Sequence, residues 1–327
     1  QLDAGNVRTV DFTSLNKKGL PGGAKIGKPG QPLDLDLEPE FIGVSPDSKT
    51  AFVAVQEHNA LAIIDVDAAK LRKVVGLGFK DWSELLMDAS DKDGGIKLQS
   101  WPVRGMYQPD GLDVFVAQGK TYVITANEGD SREYDAFTDE ARVEDLALDP
   151  AAFPNAADLV VPERLGRLKV TTTMGDVDGD GDYDELYAFG ARSISIWDAS
   201  GAQVWDSGDE FERKLEELLP EEFNANNDEN ESFDNRSDDK GAEPESVVVG
   251  SVGGRLYAFV ALERVSGIMV YDVTDPRAPT FASFAINRDF AGVPEEGTAG
   301  DLAPEGLAFV AAEDSPNGRP LLIVGNE

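Results

Sequence analysis

Residues 176–186, DVDGDGDYDEL, place Asp176, Asp178, Asp180 and Asp184 around Gly181 in the pattern Asp-x-Asp-x-Asp-Gly-x-x-Asp. Calcium takes about six to eight hard oxygen donors, and alternating carboxylates in a tight loop supply them. Gly181 permits the sharp turn, and the main-chain carbonyl of Asp182 adds a donor. With five aspartates in nine residues, the loop repels itself unless a cation neutralises it. The bland alternative is a solvated acidic turn. The flanks read as strands, so this is no helix-loop-helix, and such a loop staples a hairpin without doing chemistry. A weaker candidate, Asp88-x-x-Asp91-x-Asp93-Gly94, has imperfect spacing and reads equally well as a polar loop.

A second set of carboxylates is marked by repetition. Four stretches open on proline and an acid, run through an apolar segment and a turn, and end a second apolar segment in Glu. They are PEFIGVSPDSKTAFVAVQE (39–57), PDGLDVFVAQGKTYVITANE (109–128), PESVVVGSVGGRLYAFVALE (244–263) and PEGLAFVAAEDSPNGRPLLIVGNE (304–327). In an antiparallel hairpin the start of one strand lies beside the end of the next. Glu40 is therefore expected near Glu57, Asp110 near Glu128, Glu245 near Glu263 and Glu305 near Glu327. If the first strand of each unit lines a common axis, all eight gather at one mouth of it. Like charges so confined need metal ions or basic side chains. Calcium suits an all-oxygen site in a chain with no cysteine and one histidine, with iron or magnesium as a further metal. The alternative is that these acids cap strand ends through backbone N–H groups. His58, beside Glu57, reads as a turn residue.

Arg132, Lys240, Arg264 and Arg288 fall close to the same strand ends. Arginine beside bound metal suits a phosphate or carboxylate substrate, which makes Glu128, Arg132, Glu263 and Arg264 candidate catalytic residues. Salt bridges to the acidic excess are the alternative. There is no Gly-x-Ser-x-Gly elbow, and a Ser-His-Asp triad would rest on His58 alone. The nucleophile expected of a hydrolase here is a metal-bound water or hydroxide.

The elements that must carry these residues are strands. The repeated segments are short, rich in Val, Ile, Phe, Tyr and Leu, and divided by turn signals such as Gln118-Gly119 and Gly253-Gly254, so they read as four β-hairpins. Residues 60–66 and 267–273 add third strands, and 280–286 a fourth. Antiparallel sheets recurring at irregular intervals point to an all-β fold, a β-propeller of antiparallel blades. A β-sandwich would not require the same acidic ends. Residues 165–207 read as another sheet unit. Helices are few: one at 209–219, with Phe211, Leu215, Leu218 and Leu219 on one face, and another at 138–148. Residues 221–240 are a polar acidic loop, 1–36 an irregular N-terminal segment, and 37–327 the propeller domain, with insertions near 130–164 and 208–243.

Composition narrows the function. The 327 residues carry 29 Lys and Arg against 62 Asp and Glu, a formal charge of −33. That excess repels phosphate backbones and anionic lipid, so no nucleic-acid partner is expected. Apolar residues at 41% suffice for a core, and no run reaches the length of a membrane span. The absence of cysteine excludes disulfides and zinc–thiolate sites. The chain begins with Gln1, as expected of a processed chain or part of a longer one. Asn-x-Ser sequons occur at Asn230 and Asn235.

The loop at 176–184 resembles the strand-loop-strand calcium loop of FG-GAP and integrin-type propellers. Strings including LDLEPEFIGVSPDSKTAFVAVQEHNALAIIDV, TANEGDSREYD, GDVDGDGDYDELYAFGARSISIWD, FDNRSDDKGAEPE and LERVSGIMVYDVTDP resemble a family called choice-of-anchor I proteins in bacteria. Its animal relatives are mesenchyme-specific cell-surface glycoproteins linked with biomineralisation, and members are often described as alkaline-phosphatase-like or phytase-like. The resemblance covers nearly all of the chain from about residue 37. It implies a secreted or surface-anchored, calcium-binding propeller that belongs to a longer protein with additional blades, so that this chain is expected to form an incomplete ring.

Two functions follow as expectations. One is a secreted metal-dependent phosphoric-ester hydrolase of the phosphatase or phosphodiesterase kind, acting on a phosphorylated small molecule. The other is a non-catalytic, calcium-stabilised module for adhesion or scaffolding in a matrix or at a surface. A propeller lyase or lactonase with one channel metal is a less supported third.

Overall fold

A computed structural model describes residue 5 and residues 7–327. Residues 1–4 and 6, part of the expected irregular N-terminal segment, lie outside the described residues. Strands β1 (Ile42–Val44), β2 (Thr50–Val55), β3 (Ala60–Asp65) and β4 (Lys70–Gly76) form one antiparallel meander. β5 (Phe79–Asp81) and β6 (Arg104–Met106) follow, then the hairpin β7 (Leu112–Ala117) and β8 (Lys120–Asn127). β9 (Glu133–Tyr134) and β10 (Phe137–Thr138) make a two-stranded ribbon. β11 (Glu140–Arg142), β12 (Lys169–Thr171) and β13 (Tyr187–Ala188) join β6 and β5 in a five-stranded sheet, ordered β11-β12-β13-β6-β5. β14 (Ser193–Asp198) and β15 (Gln203–Asp206) extend the β7–β8 hairpin in the order β15-β14-β8-β7. A second meander holds β16 (Pro244–Val252), β17 (Arg255–Leu262), β18 (Gly267–Asp272) and β19 (Thr280–Ile286), and the hairpin β20 (Pro304–Val310) with β21 (Leu321–Asn326) ends the chain.

All four expected hairpins form, and their first strands stand side by side: β1 beside β7, β7 beside β16, β16 beside β20. This is the all-β, propeller-like arrangement, with sheets packed face to face about those strands. The reason lies in which faces are apolar. The β8 run Val123-Ile124 is buried on both sides because its sheet is sandwiched. Val123 packs with Phe52, Leu61, Leu112 and Trp197 on the side of the first meander. Ile124 packs with Ile194, Val260 and Met269 on the side of the second. Full burial of each such side chain contributes about 1.5–3 kcal/mol.

Close packing of the first strands needs glycine at two contacts. A Cβ on Gly111 would lie 2.6 Å from Ser246 Cα and 2.7 Å from the Glu245 carbonyl oxygen, and one on Gly250 would meet the Phe309 ring at 2.3 Å. The Gly111 amide donates to the Glu245 carbonyl at 2.9 Å, stitching two neighbouring sheets at the level of their acidic ends.

Two expectations are corrected, and the remaining helix is bounded more closely. The helix at 138–148 is absent; β10, β11 and a 3-10 turn at Val143–Asp145 occupy it. There Val143 is wholly buried under Leu165 and Leu168 in the separate core of the five-stranded sheet, so tertiary burial overrode local pattern. The unit expected at 165–207 is divided between two sheets, β12 and β13 in one, β14 and β15 in the other. The helix expected at 209–219 does form, as Glu210–Leu218. It buries Phe211 and Leu215 but leaves Leu218 39% exposed. The N-terminal segment is fixed to the first meander through Leu15 and Leu37.

A candidate metal centre at the strand ends

Glu128 follows β8, Glu245 stands at the start of β16 and Glu263 follows β17. One carboxylate oxygen from each lies within 4.8 Å of those from the other two. Oxygens bound to one calcium at about 2.3–2.6 Å lie no more than about 5 Å apart, so this triad fits the ion. Burial and then the neighbouring Glu128, Asp110 and Glu263 push the Glu245 carboxyl up to about 10. Burial, with Glu243 next in weight, brings Glu263 to about 7. Asp110 is raised mainly by burial, with Asp130 and Glu305 adding to the shift.

The other acids extend the rim. Glu57 is buried and raised to about 8, by desolvation first and then Glu40. Glu40 is raised to about 7 by partial desolvation, then by Asp110 and Asp130. Glu305 and Glu327 are exposed; the field of the first reaches Asp110 and that of the second Glu263. The pairs 40/57, 110/128 and 245/263 thus meet as their hairpins dictate, while Glu305 and Glu327 each act on a neighbouring sheet.

Positive charge enters from the loop before β16. The Lys240 ammonium donates to Glu128 and lies 3.1 Å from Glu243. Glu243 also holds Arg236 at 2.5 Å and Arg264 at 3.1 Å. Burial alone would raise the Glu243 carboxyl, but Lys240, Arg236 and Arg264 together hold it well below the usual range. Arg264 lies 3.1 Å from Glu263 as well. Beside Lys240 opens a polar cleft of about 210 Å³, lined by Asp130, Glu140, Lys169, Arg236, Asp239 and Lys240.

Two basic residues stand elsewhere. Arg132 has a 2%-exposed side chain held 2.7 Å from Asp36 Oδ1, with Glu38 at 3.3 Å and His58 alongside. Its guanidinium is committed to the N-terminal segment. Arg288 donates to the carbonyls of Arg264, Asn226 and Glu229 and so ties loops together. Glu243, Asp130 and Gln56, whose amide donates to Glu128 at 2.8 Å, were not foreseen. Glu243 had a signal, since it directly precedes the repeated Pro-Glu.

The aspartate loop spans the turn between the paired strands β12 and β13. Oxygens of Asp176, Asp178 and Asp184 lie within 4.8 Å of one another. Asp176 accepts from the amides of Gly179 (2.7 Å) and Gly181 (3.2 Å), and Asp184 from Val177 (2.8 Å). Asp180 accepts from the Asp182 amide at 3.1 Å and stands outside this group. Asp182 instead joins Asp184 and Asp149 in a second cluster; Asp149, from a distant loop, carried no sequence signal.

The family model of the choice-of-anchor I domain matches residues 3–276. The chain belongs to the choice-of-anchor I family. Among curated proteins it is 27% identical over 297 residues to the mesenchyme-specific cell surface glycoprotein of Strongylocentrotus purpuratus, across 77% of this chain and 37% of that protein. It is 31% identical over 171 residues to gigasin-3a of Magallana gigas, across 49% of this chain and 60% of that protein. The chain therefore spans less than two thirds of either choice-of-anchor I relative. A solved structure that overlaps it is the periplasmic gluconolactonase PpgL of Pseudomonas aeruginosa, with 15% identity, a TM-score of 0.31, and 88% and 63% of the two chains covered. No helix among the described residues of this choice-of-anchor I chain is long and apolar enough to cross a membrane.

Proposed function

We propose that this chain is an extracellular, calcium-binding propeller whose strand-end centre hydrolyses phosphoric esters. The observation that carries the proposal is the triad of buried Glu128 and Glu263 with half-buried Glu245, beside a cleft with Lys169, Arg236 and Lys240 on its wall. The triad and Asp110 would hold a divalent cation; once bound, such an ion lowers the pKa of water and neutralises phosphoryl charge. Lys240 and Arg264 stand at the edge of that acidic set and are placed to orient phosphoryl oxygens. Glu57 and Glu40, raised toward neutral pH by their surroundings, suit proton transfer to a leaving group. Asp176, Asp178 and Asp184 would hold a second calcium with a structural role, as a staple of the β12–β13 turn. The extracellular setting is supported by the name of the sea-urchin relative, a cell surface glycoprotein.

The test is turnover of an aryl phosphate and an aryl phosphodiester by the full chain, with calcium, magnesium or iron and with chelator, beside Glu245→Gln and Glu263→Gln. Metal-dependent turnover lost in both variants is expected. No turnover under any metal condition overturns the hydrolase. A second reading, a non-catalytic module for surface or matrix contact, is favoured by the −33 charge and the exposed aspartate loop. It predicts calcium-dependent binding to a matrix or cell surface without hydrolysis.

A further inference from the structure

A third acidic pocket lies away from both sites. Asp88 and Asp93 belong to the long segment between β5 and β6, and Asp234 to the loop between the helix Glu210–Leu218 and β16. One oxygen of each lies within 4.8 Å of the other two. Asp88 and Asp234 are buried, and the Asp93 side chain is 4% exposed. Asp91, which lies between Asp88 and Asp93 in sequence, is turned onto Arg167 at 2.6 Å and onto Lys92. The ligand set suggested by spacing alone is therefore replaced by one that recruits a distant loop.

The bonding of the three is unequal. Asp88 accepts from the amides of Ser90 at 3.3 Å and Lys97 at 2.6 Å. Asp234 Oδ1 accepts from the Ser237 hydroxyl at 2.6 Å. Asp93 Oδ1 is buried and has no hydrogen-bond partner. An orphaned, buried carboxylate oxygen costs free energy unless something binds it. Charge points the same way. Asp88, Asp93 and Asp234, with Glu212 beside them, are faced by Lys97, 3.6 Å from Asp93 and half-exposed, and by Arg192, 2.7 Å from Glu212. When all four carboxylates are ionised, the two cations leave two negative charges in a largely buried space.

We propose that Asp88, Asp93 and Asp234 bind a hard divalent cation, calcium by their all-oxygen chemistry. The ion clasps the loop 221–243 onto the segment 86–99. That loop also carries Arg236, Lys240 and Glu243, so the clasp fixes the counter-charges of the strand-end centre from behind. The site stands whether or not the centre is a hydrolase.

The probe is terbium, which substitutes for calcium. Crystals of the full chain soaked with terbium are expected to show an anomalous peak among Asp88, Asp93 and Asp234, separate from any at the 176–184 loop. A lattice with no peak between those three carboxylates overturns the proposal. In solution, calcium bound per chain is counted by elemental analysis after gel filtration. Asp93→Asn is expected to lose one equivalent and Asp178→Asn a different one. Folded Asp93→Asn that retains the wild-type count overturns the proposal; if that variant does not fold, the wild-type crystal decides.

Discussion

Lys240 reaches across 112 residues of sequence to donate a hydrogen bond to Glu128. The bond joins an irregular loop to the end of a core strand. It also sets an ammonium with a 12%-exposed side chain beside a second carboxylate, Glu243. Breaking a buried pair by removing one partner costs about 3–5 kcal/mol. Lys240→Met is therefore expected to destabilise the chain by about 3 kcal/mol near pH 8. The loss shrinks at lower pH, because Glu128, already raised by burial, then takes a proton. Chemical denaturation at two pH values measures this; an equal loss at both contradicts it.

The raised glutamates give a pH signature. A carboxyl whose folded pKa lies above its unfolded value stabilises most below the unfolded pKa, and that contribution is lost as pH rises through the folded pKa. For Glu40, Glu57, Glu245 and Glu263 the window runs from about 4.5 up to about 7, 8, 10 and 7 respectively. Calcium competes with the protons of Glu245 and Glu263. In chelator the melting temperature should fall as pH climbs through this window, and added calcium should restore progressively more of it. A calcium effect that is flat with pH would show that these acids do not share an ion.

His58 has the opposite sign. Burial, helped by Arg132 and opposed by Asp36, pushes its imidazole down from 6.5 to about 4. The unfolded chain therefore binds the proton more tightly, and this contribution to stability is present above about pH 6.5 and lost as pH falls toward 4. Replacing His58 with Gln should flatten the acid limb between those values and leave the alkaline limb unchanged. Melting curves across that range test it.

At the aspartate loop the structure separates carboxylates that sequence treats alike. Asp178→Asn and Asp184→Asn should remove most of the loop's calcium-dependent stabilisation, which reaches about 2.7 kcal/mol for a site at a hundredfold excess over its Kd. Asp180→Asn should remove much less, because its carboxylate lies outside the group formed by Asp176, Asp178 and Asp184. Calorimetric titration of the three variants makes the comparison, and equal losses would assign Asp180 to the ion.

Gly111 offers a check on the scaffold. A methyl group there meets the backbone of Ser246 and Glu245 at 2.6–2.7 Å, where no side chain can swing away. Gly111→Ala should destabilise by about 1–3 kcal/mol and weaken metal binding at Glu245. Unchanged stability would mean β7 and β16 shift apart freely.

The hairpins were legible because turn residues punctuate apolar segments of strand length, and their repeated ends announced which carboxylates would meet. The strands β4, β5 and β6 were not read. β4 interrupts its apolar residues with Lys70, Arg72 and Lys73, and β5 and β6 are three residues each, in a sheet that β6 joins through β13, far away in sequence. Lys25, wholly buried against Asp139, and Asp36, which holds Arg132, sit in a segment whose proline and glycine content signals only irregular chain. Asp234 was hidden in the same way. Its acidic surroundings look like solvated loop, and nothing local shows that Asp88 and Asp93 wait for it.

That loop, 221–243, belongs to no sheet, yet the strand-end acids draw Lys240, Arg236 and Glu243 from it. Phe223 and Ala242 anchor it in the core, and the positions between those anchors belong to no strand register. Proteins with these same blades can thus acquire different chemistries by editing one excursion of the backbone, and a shared architecture among them is no guarantee of a shared substrate.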